Sequence, residues 1–168
     1  MGKRIRIKTK PKRTFQMRIA GLGFRNDHVL VHRATHEAFW TFPGGGAEVG
    51  ETSQATLERE MVEELGVQVE VERLLWMVEN FFHYEGRDWH ELGLYYLMRL
   101  PDSFPFEPEV IIHRVVDGDN ELEFKWVRAT REALKALDIP PYFIADEIEA
   151  LPQVPRHLVW DDRDLDAK

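Results

Sequence analysis

The chain has 168 residues, 43% hydrophobic and 31% charged, which fits one globular domain with a real core and excludes a disordered chain. It contains no cysteine, so disulfide scaffolds, thiolate-held zinc, iron–sulfur clusters and thiol catalysis are excluded. The formal net charge of −8 is unevenly spread: residues 1–18 carry eight Lys or Arg and no acid, and the other 150 hold 14 basic and 30 acidic groups.

An acidic body argues against a broad nucleic-acid-binding surface and is compatible with a site that gathers divalent cations. No apolar run approaches the ~18–20 residues that cross a bilayer, and the basic N-terminus lacks the apolar stretch of a signal peptide. The expectation is a cytoplasmic protein with no membrane contact. It is read as a single domain over residues 1–168, with a basic arm (1–13) and an acidic tail (161–168) as candidate flexible ends.

In chain order, Lys3 to Arg13 alternates charge with isoleucine, which predicts a short strand before Pro11. Gln16 to Phe24 and His28 to His32 flank Asn26-Asp27, a hairpin signal. Ala38 to Phe42 is short and aromatic and stops at Pro43. Gly44-Gly45-Gly46 reads as a turn. Thr52 to Leu65 is the clearest helix, with Thr52 or Ser53 as its cap and Gly66 where a left-handed C-terminal glycine belongs. Val67 to Val78 and Leu92 to Leu100 read as strands. Asp117-Gly118 marks a tight turn before a strand near Leu122 to Val127. Ala129 to Leu137 is helical, Pro140-Pro141 ends it, and Tyr142 to Leu151 predicts a last helix. After Trp160 the chain is acidic and expected to fray. Strands outnumber helices, which suggests a mixed sheet covered by a few helices.

The informative segment is the helix. Glu60, Glu63 and Glu64 fall within one arc of about 100°. Met61, Leu65, Val62 and Ala55 fall opposite and are expected to face the core. Like charges at this spacing cost only a few tenths of a kcal/mol per pair, so the pattern alone also fits a solvated face. A glycine run just upstream, with accessible backbone carbonyls, favours a site for Mg²⁺, which prefers octahedral oxygen and often shares its coordination with substrate phosphates.

Gly45, five residues, Glu51, seven residues, and then Arg59-Glu60-Met61-Val62-Glu63-Glu64-Leu65-Gly66-Val67 resembles the complete Nudix box, G-x5-E-x7-R-E-U-x-E-E-x-G-U, at all nine specified positions. The resemblance implies an α/β/α sandwich with a mixed central sheet. It also implies Mg²⁺- or Mn²⁺-dependent hydrolysis of a nucleoside diphosphate linked to another group. By position, Glu60 and Glu64 resemble direct metal ligands, Glu63 the third carboxylate of the metal site, and the Gly44 carbonyl a further ligand. Arg59, counted with Glu60, Glu63 and Glu64 in the catalytic set, resembles the box arginine that holds Glu51 and its loop and orients the glutamates; a helix ion pair without catalytic contact is the alternative. The general base of the family is a box glutamate or one on a distant loop; here the distant candidates are Glu79, Glu91, Glu121 and Glu123, each of which also fits an ordinary surface carboxylate.

Phe81, Phe82, Tyr84 and Trp89 form an aromatic cluster on which a base could stack, with core packing as the alternative. Phe82, Tyr84 and Trp89 are the substrate-contact candidates. The partner expected is a small-molecule nucleotide, such as a nucleoside triphosphate, dinucleoside polyphosphate or nucleotide sugar. The family resemblance also allows a homodimer. Two rival readings are a Nudix fold that binds a nucleotide without cleaving it, and an RNA 5′-end pyrophosphohydrolase gripping its substrate with the basic arm. Asp117 to Glu121 fails as a calcium loop, because Leu122 and Arg128 stand where glycine and glutamate are needed.

Overall fold

The hairpin at Asn26-Asp27 decides the architecture. In the computed structural model, which describes residues 2–163, these two residues have φ of 47° and 60°, the positive pair that a tight two-residue hairpin turn requires. They join β2 (Arg13–Arg25) to β3 (His28–Ala34), but only two residue pairs, Phe24–Val29 and Arg25–His28, close the ladder. Beyond them the strands part. β3 pairs with β8 (Asn120–Arg128), which pairs with β7 (Ile111–Asp117). The other edge of β2 runs parallel to β6 (Arg87–Arg99), which pairs with β5 (Glu70–Tyr84). The edge of β2 that β3 vacates takes up β4 (Gly44–Gly46) and β1 (Arg6–Thr9). With β9 (Arg156–Asp161) added parallel to β5, the result is a mixed sheet ordered β7-β8-β3-β2-β6-β5-β9, with a wedge between β2 and β3.

Strand alternation sorts the core into two layers. Ile19 and Leu30 face α1 (Ser53–Leu65) together with Leu57, Met61, Phe124 and Trp126. Ala20, Leu22, Val29 and Val31 face the other way, onto α2 (Arg131–Ala136) and α3 (Phe143–Glu147), through Leu134, Phe143 and Ile144. This is an α/β/α sandwich. Both short helices are briefer than their sequence patterns. Among the described residues no helix is long and apolar enough to cross a membrane.

Three expectations are corrected. Gly44-Gly45-Gly46 is not a turn but the strand β4, drawn so close to β2 that a Cβ on Gly44 would stand 2.0 Å from the Ile19 carbonyl oxygen. The inward face of α1 is Thr56, Leu57, Glu60, Met61, Glu64 and Leu65, so two of the three glutamates point into the protein while Val62 and Ala55 are exposed. The chain after the last helix forms β9 (Arg156–Asp161), parallel to β5, with Leu158 and Trp160 packed on the core. Of the expected tail, Asp161 ends this strand, and residues 164–168 lie outside the described residues.

Candidate functional site

The helix that carries the glutamates is fixed at both ends. The Thr52 hydroxyl accepts from the Ala55 N–H at 3.1 Å, and Gly66, with φ 68°, donates to the Val62 carbonyl at 3.0 Å. His113 of β7 meets the Glu64 carbonyl at 2.7 Å and ties the last turn to the sheet. Arg59 links helix and loop: its Nε donates to Glu51 Oε1 at 2.7 Å, Nη2 to Glu51 Oε2 at 3.1 Å and to the Gly46 carbonyl at 3.3 Å, and Nη1 to Glu60 Oε1 at 2.9 Å. The Thr56 hydroxyl adds a bond to Glu51 at 2.9 Å. Hydrogen bonding from Arg59 holds the Glu51 pKa down at about 2. Glu63 stands apart from this centre, half-exposed, with Arg59 Nη1 at 3.3 Å.

Glu60 and Glu64 open into a cavity of about 180 Å³ in the wedge between β2 and β3. Glycine is needed here for space: a Cβ on Gly45 would lie 2.3 Å from the Glu60 carboxylate. Glu60 is 2% exposed and Glu64 5%. Burial raises both pKa values, and the neighbouring charge of Glu60 pushes Glu64 further up. Glu64 Oε2 is buried with no hydrogen-bond partner, and so is the facing His32 Nδ1, 3.6 Å away. Burial, with help from Arg18, lowers the His32 pKa to about 3, so this imidazole is neutral and does not compensate the carboxylate.

Two buried carboxylates, one with an orphaned oxygen, beside a glycine strand make a hard-oxygen donor set that fits a divalent cation. Among the described residues no three acidic or imidazole side chains are gathered into a complete ligand set, so backbone carbonyls and water would complete it. The Gly44 carbonyl faces Arg18 Nη1 at 3.5 Å.

Sequence reasoning did not place Arg4, Arg6, Gln16, Arg18, His32, Asp117 or Leu122 at this cavity. Arg18 carries a local signal, as the one charge in the apolar stretch from Met17 to Phe24. Its Nη2 donates to the Phe42 carbonyl at 2.9 Å. His32 and Asp117 reach the site only because β3 and β7 border the wedge.

The distant carboxylates separate by their partners. Glu123 is buried but held by Arg33 at 2.8 Å and Arg114 at 3.2 Å. Glu79 meets His157 at 2.8 Å between β5 and β9, and Glu121 is exposed at the start of β8. Glu91 is buried and accepts from the amide of the cavity residue Gln16 at 2.5 Å. Gln16, Glu91 and Asn80 are register partners across β2, β6 and β5. The next row along is Thr14, Trp89 and Phe82, roughly 7 Å away at two residues per repeat. Phe82 and Trp89 stack at 6.0 Å between centroids, the Trp89 indole N–H donates to the Tyr84 carbonyl at 3.1 Å, and the Tyr84 hydroxyl donates to Glu37. These aromatics neighbour the cavity without lining it.

A family model described as the NUDIX domain matches residues 14–145. The chain is 32% identical over 65 residues to the putative ADP-ribose pyrophosphatase YjhB of Bacillus subtilis, covering 39% of this chain and 31% of that protein. It is 35% identical over 85 residues to diphosphoinositol polyphosphate phosphohydrolase 2 of Rattus norvegicus, covering 44% and 48%. The chain thus spans less than half the length of these relatives. Among solved structures, a NUDIX hydrolase from Nitrosomonas europaea superposes with a TM-score of 0.57 at 17% identity, over 86% of this chain and 77% of that one. The MutT NUDIX hydrolase from Burkholderia pseudomallei gives 0.53 at 25% identity, over 80% and 96%.

Proposed function

Because the chain belongs to the NUDIX domain family, we propose that it is a Mg²⁺- or Mn²⁺-dependent pyrophosphohydrolase, cleaving a nucleoside diphosphate linked to another moiety by water attack on a diphosphate phosphorus. The observation that carries this reading is the buried pair Glu60 and Glu64: Arg59 answers one oxygen of Glu60, while Glu64 keeps a buried oxygen with no partner, which a cation would satisfy. Glu60, Glu64 and the Gly44 carbonyl would hold the metal, with Glu63 as the remaining box carboxylate. When bound, the metal supplies charge neutralisation on the diphosphate and a lowered pKa for water.

The chain's own residues do the positioning. Arg59 fixes Glu60, Glu51 and the Gly46 carbonyl as one unit, so the loop and the helix cannot drift apart. Gly45 leaves the Glu60 carboxylate its place. Arg18 brings positive charge beside Glu64 and His32. Glu91, bonded to a cavity residue, is the distant carboxylate best placed to serve as a base or to orient substrate, and Trp89 and Phe82 lie one row beyond it for contact with the other moiety.

The test is a product screen with Mg²⁺ or Mn²⁺ over nucleoside triphosphates, dinucleoside polyphosphates, nucleotide sugars and ADP-ribose. Products are identified by mass, with Glu64→Gln as the blank. The expected result is two phosphate-bearing products from one substrate class, with turnover down roughly 10²-fold or more in the blank. Nucleotide binding without any product would replace the enzyme by a binding module.

A further inference from the structure

The basic N-terminal segment does not trail away from the protein. It runs along β2 as β1, with Arg4 bridged to Glu48 and the Ile5 N–H bonded to the Ala47 carbonyl at 2.7 Å. This places Arg4 and Arg6 at the mouth of the same cavity that holds Glu60 and Glu64, facing Arg18. Both residues lie outside the 14–145 stretch that matches the family model.

The partners of these guanidinium groups matter. Elsewhere in this acidic protein Arg33, Arg59 and Arg114 sit 2.7 to 3.2 Å from carboxylates. Among the described residues none of Arg4, Arg6 and Arg18 forms an ion pair. Arg6 is oriented by neutral groups: its Nη2 donates to Gln16 Oε1 at 2.8 Å and its guanidinium lies 5.4 Å from the Trp89 ring centroid. Glu91 is engaged through Gln16 rather than by Arg6 directly. The Arg4 stem passes over Gly46, 3.3 Å from where a Cβ would stand. Three guanidinium forks thus border one small opening, none within ion-pair distance of a carboxylate although Arg4 and Arg18 feel the charges of Glu60 and Glu64, and such forks match phosphate oxygens bidentately.

We propose that Arg4 and Arg6 of the N-terminal strand, with Arg18, form an anion clamp that binds the phosphate chain of the substrate at the cavity mouth. The clamp rests on the hydrolytic reading for its purpose, but its binding can be measured without turnover. Its ligand class is a polyphosphate anion, and the basic segment is part of the binding site, not a nonspecific tail.

The experiment is calorimetric titration of the full chain with inorganic tripolyphosphate in EDTA, at two salt concentrations. Wild type is expected to bind, more weakly at higher salt. Arg4→Ala/Arg6→Ala is expected to bind at least tenfold more weakly with an unchanged circular dichroism spectrum, and Arg4→Lys/Arg6→Lys to fall between. Lys8→Ala/Lys10→Ala, on the same segment away from the cavity, serves as the control and is expected to match wild type. Once a hydrolysed substrate is known, the alanine pair should raise KM with kcat kept. The proposal is overturned if wild type does not bind, if the alanine pair binds within twofold of wild type, or if the Lys8/Lys10 control loses as much. Arginine-dependent binding in a protein that cleaves nothing would sink the hydrolytic reading and leave the clamp standing.

Discussion

Gly44 and Gly45 are adjacent in one strand, and alanine at each should fail in a different way. At Gly45 an added Cβ would stand 2.3 Å from the Glu60 carboxylate. Ordinary contact begins near 3.4 Å, so the carboxylate must retreat by about 1 Å, and a displacement of that size at a reacting centre can cost ~10²-fold. The retreat is easy for the fold, because the obstacle is the far end of a side chain. Gly45 does not have a positive φ, so its backbone accepts alanine. Gly45→Ala should therefore lose roughly 10²-fold in kcat/KM with a Tm shift of no more than a few degrees. Gly44 is different: its φ is 148°, and its Cβ would meet the Ile19 carbonyl oxygen at 2.0 Å and Ala20 Cα at 2.8 Å, backbone atoms that cannot step aside. Gly44→Ala should cost about 2–4 kcal/mol, a Tm loss of roughly 10 °C, from strain and overpacking together. The assays are thermal unfolding and steady-state hydrolysis of the substrate found in the product screen. Gly45→Ala with kcat/KM within twofold of wild type would mean that Glu60 does not need its place.

Three further outcomes follow from the same geometry. Glu64→Gln removes a buried carboxylate that burial and the charge of Glu60 disfavour, so the metal-free variant should unfold at a higher temperature than wild type, by ~1–2 kcal/mol, while losing activity. An unchanged or lower Tm in EDTA would contradict this. Glu51, held at about 2 by Arg59, has a folded pKa below its ordinary value. Its stabilisation is therefore complete above about 4.5 and lost as pH falls toward 2. Acid unfolding of Glu51→Gln should accordingly show a flatter dependence over that window than wild type, with the two curves offset at neutral pH. Glu123→Gln should cost about 1–2 kcal/mol by loosening Arg33 and Arg114, yet leave turnover per folded molecule within twofold, as measured by unfolding and kinetics on one preparation.

Local features were legible in the sequence and long-range ones were not. The caps Thr52 and Gly66 and the turn at Asn26-Asp27 act over a few residues, so composition and spacing suffice to find them. The direction of α1 runs against its periodicity, because the helical pattern assumes that apolar residues face inward. Here Gly45 clears room for a carboxylate on the buried side, and only the packing of β4 on β2 shows it. The glycine run suggests a turn on propensity, but its closeness to Ile19 and Ala20 makes glycine a requirement of strand packing. β9 hid among prolines and acids, although Leu158 and Trp160 alternate as a strand should. Arg4, Arg18, His32 and Asp117 are spread over more than a hundred residues, and the parting of β2 from β3 is what brings them to one cavity. Glu63 shares the box with Glu60 and Glu64 but not their burial, a difference that one residue of helical rotation produces.

Whether Glu60 and Glu64 are buried to hold a divalent cation is decided by Mn²⁺ titration of the protein, followed by calorimetry. Wild type and Glu123→Gln should bind one Mn²⁺ with similar affinity, and Glu60→Gln and Glu64→Gln should each lose at least tenfold. Equal affinity in all four proteins, or no binding in any, would mean that the buried pair does not hold a cation.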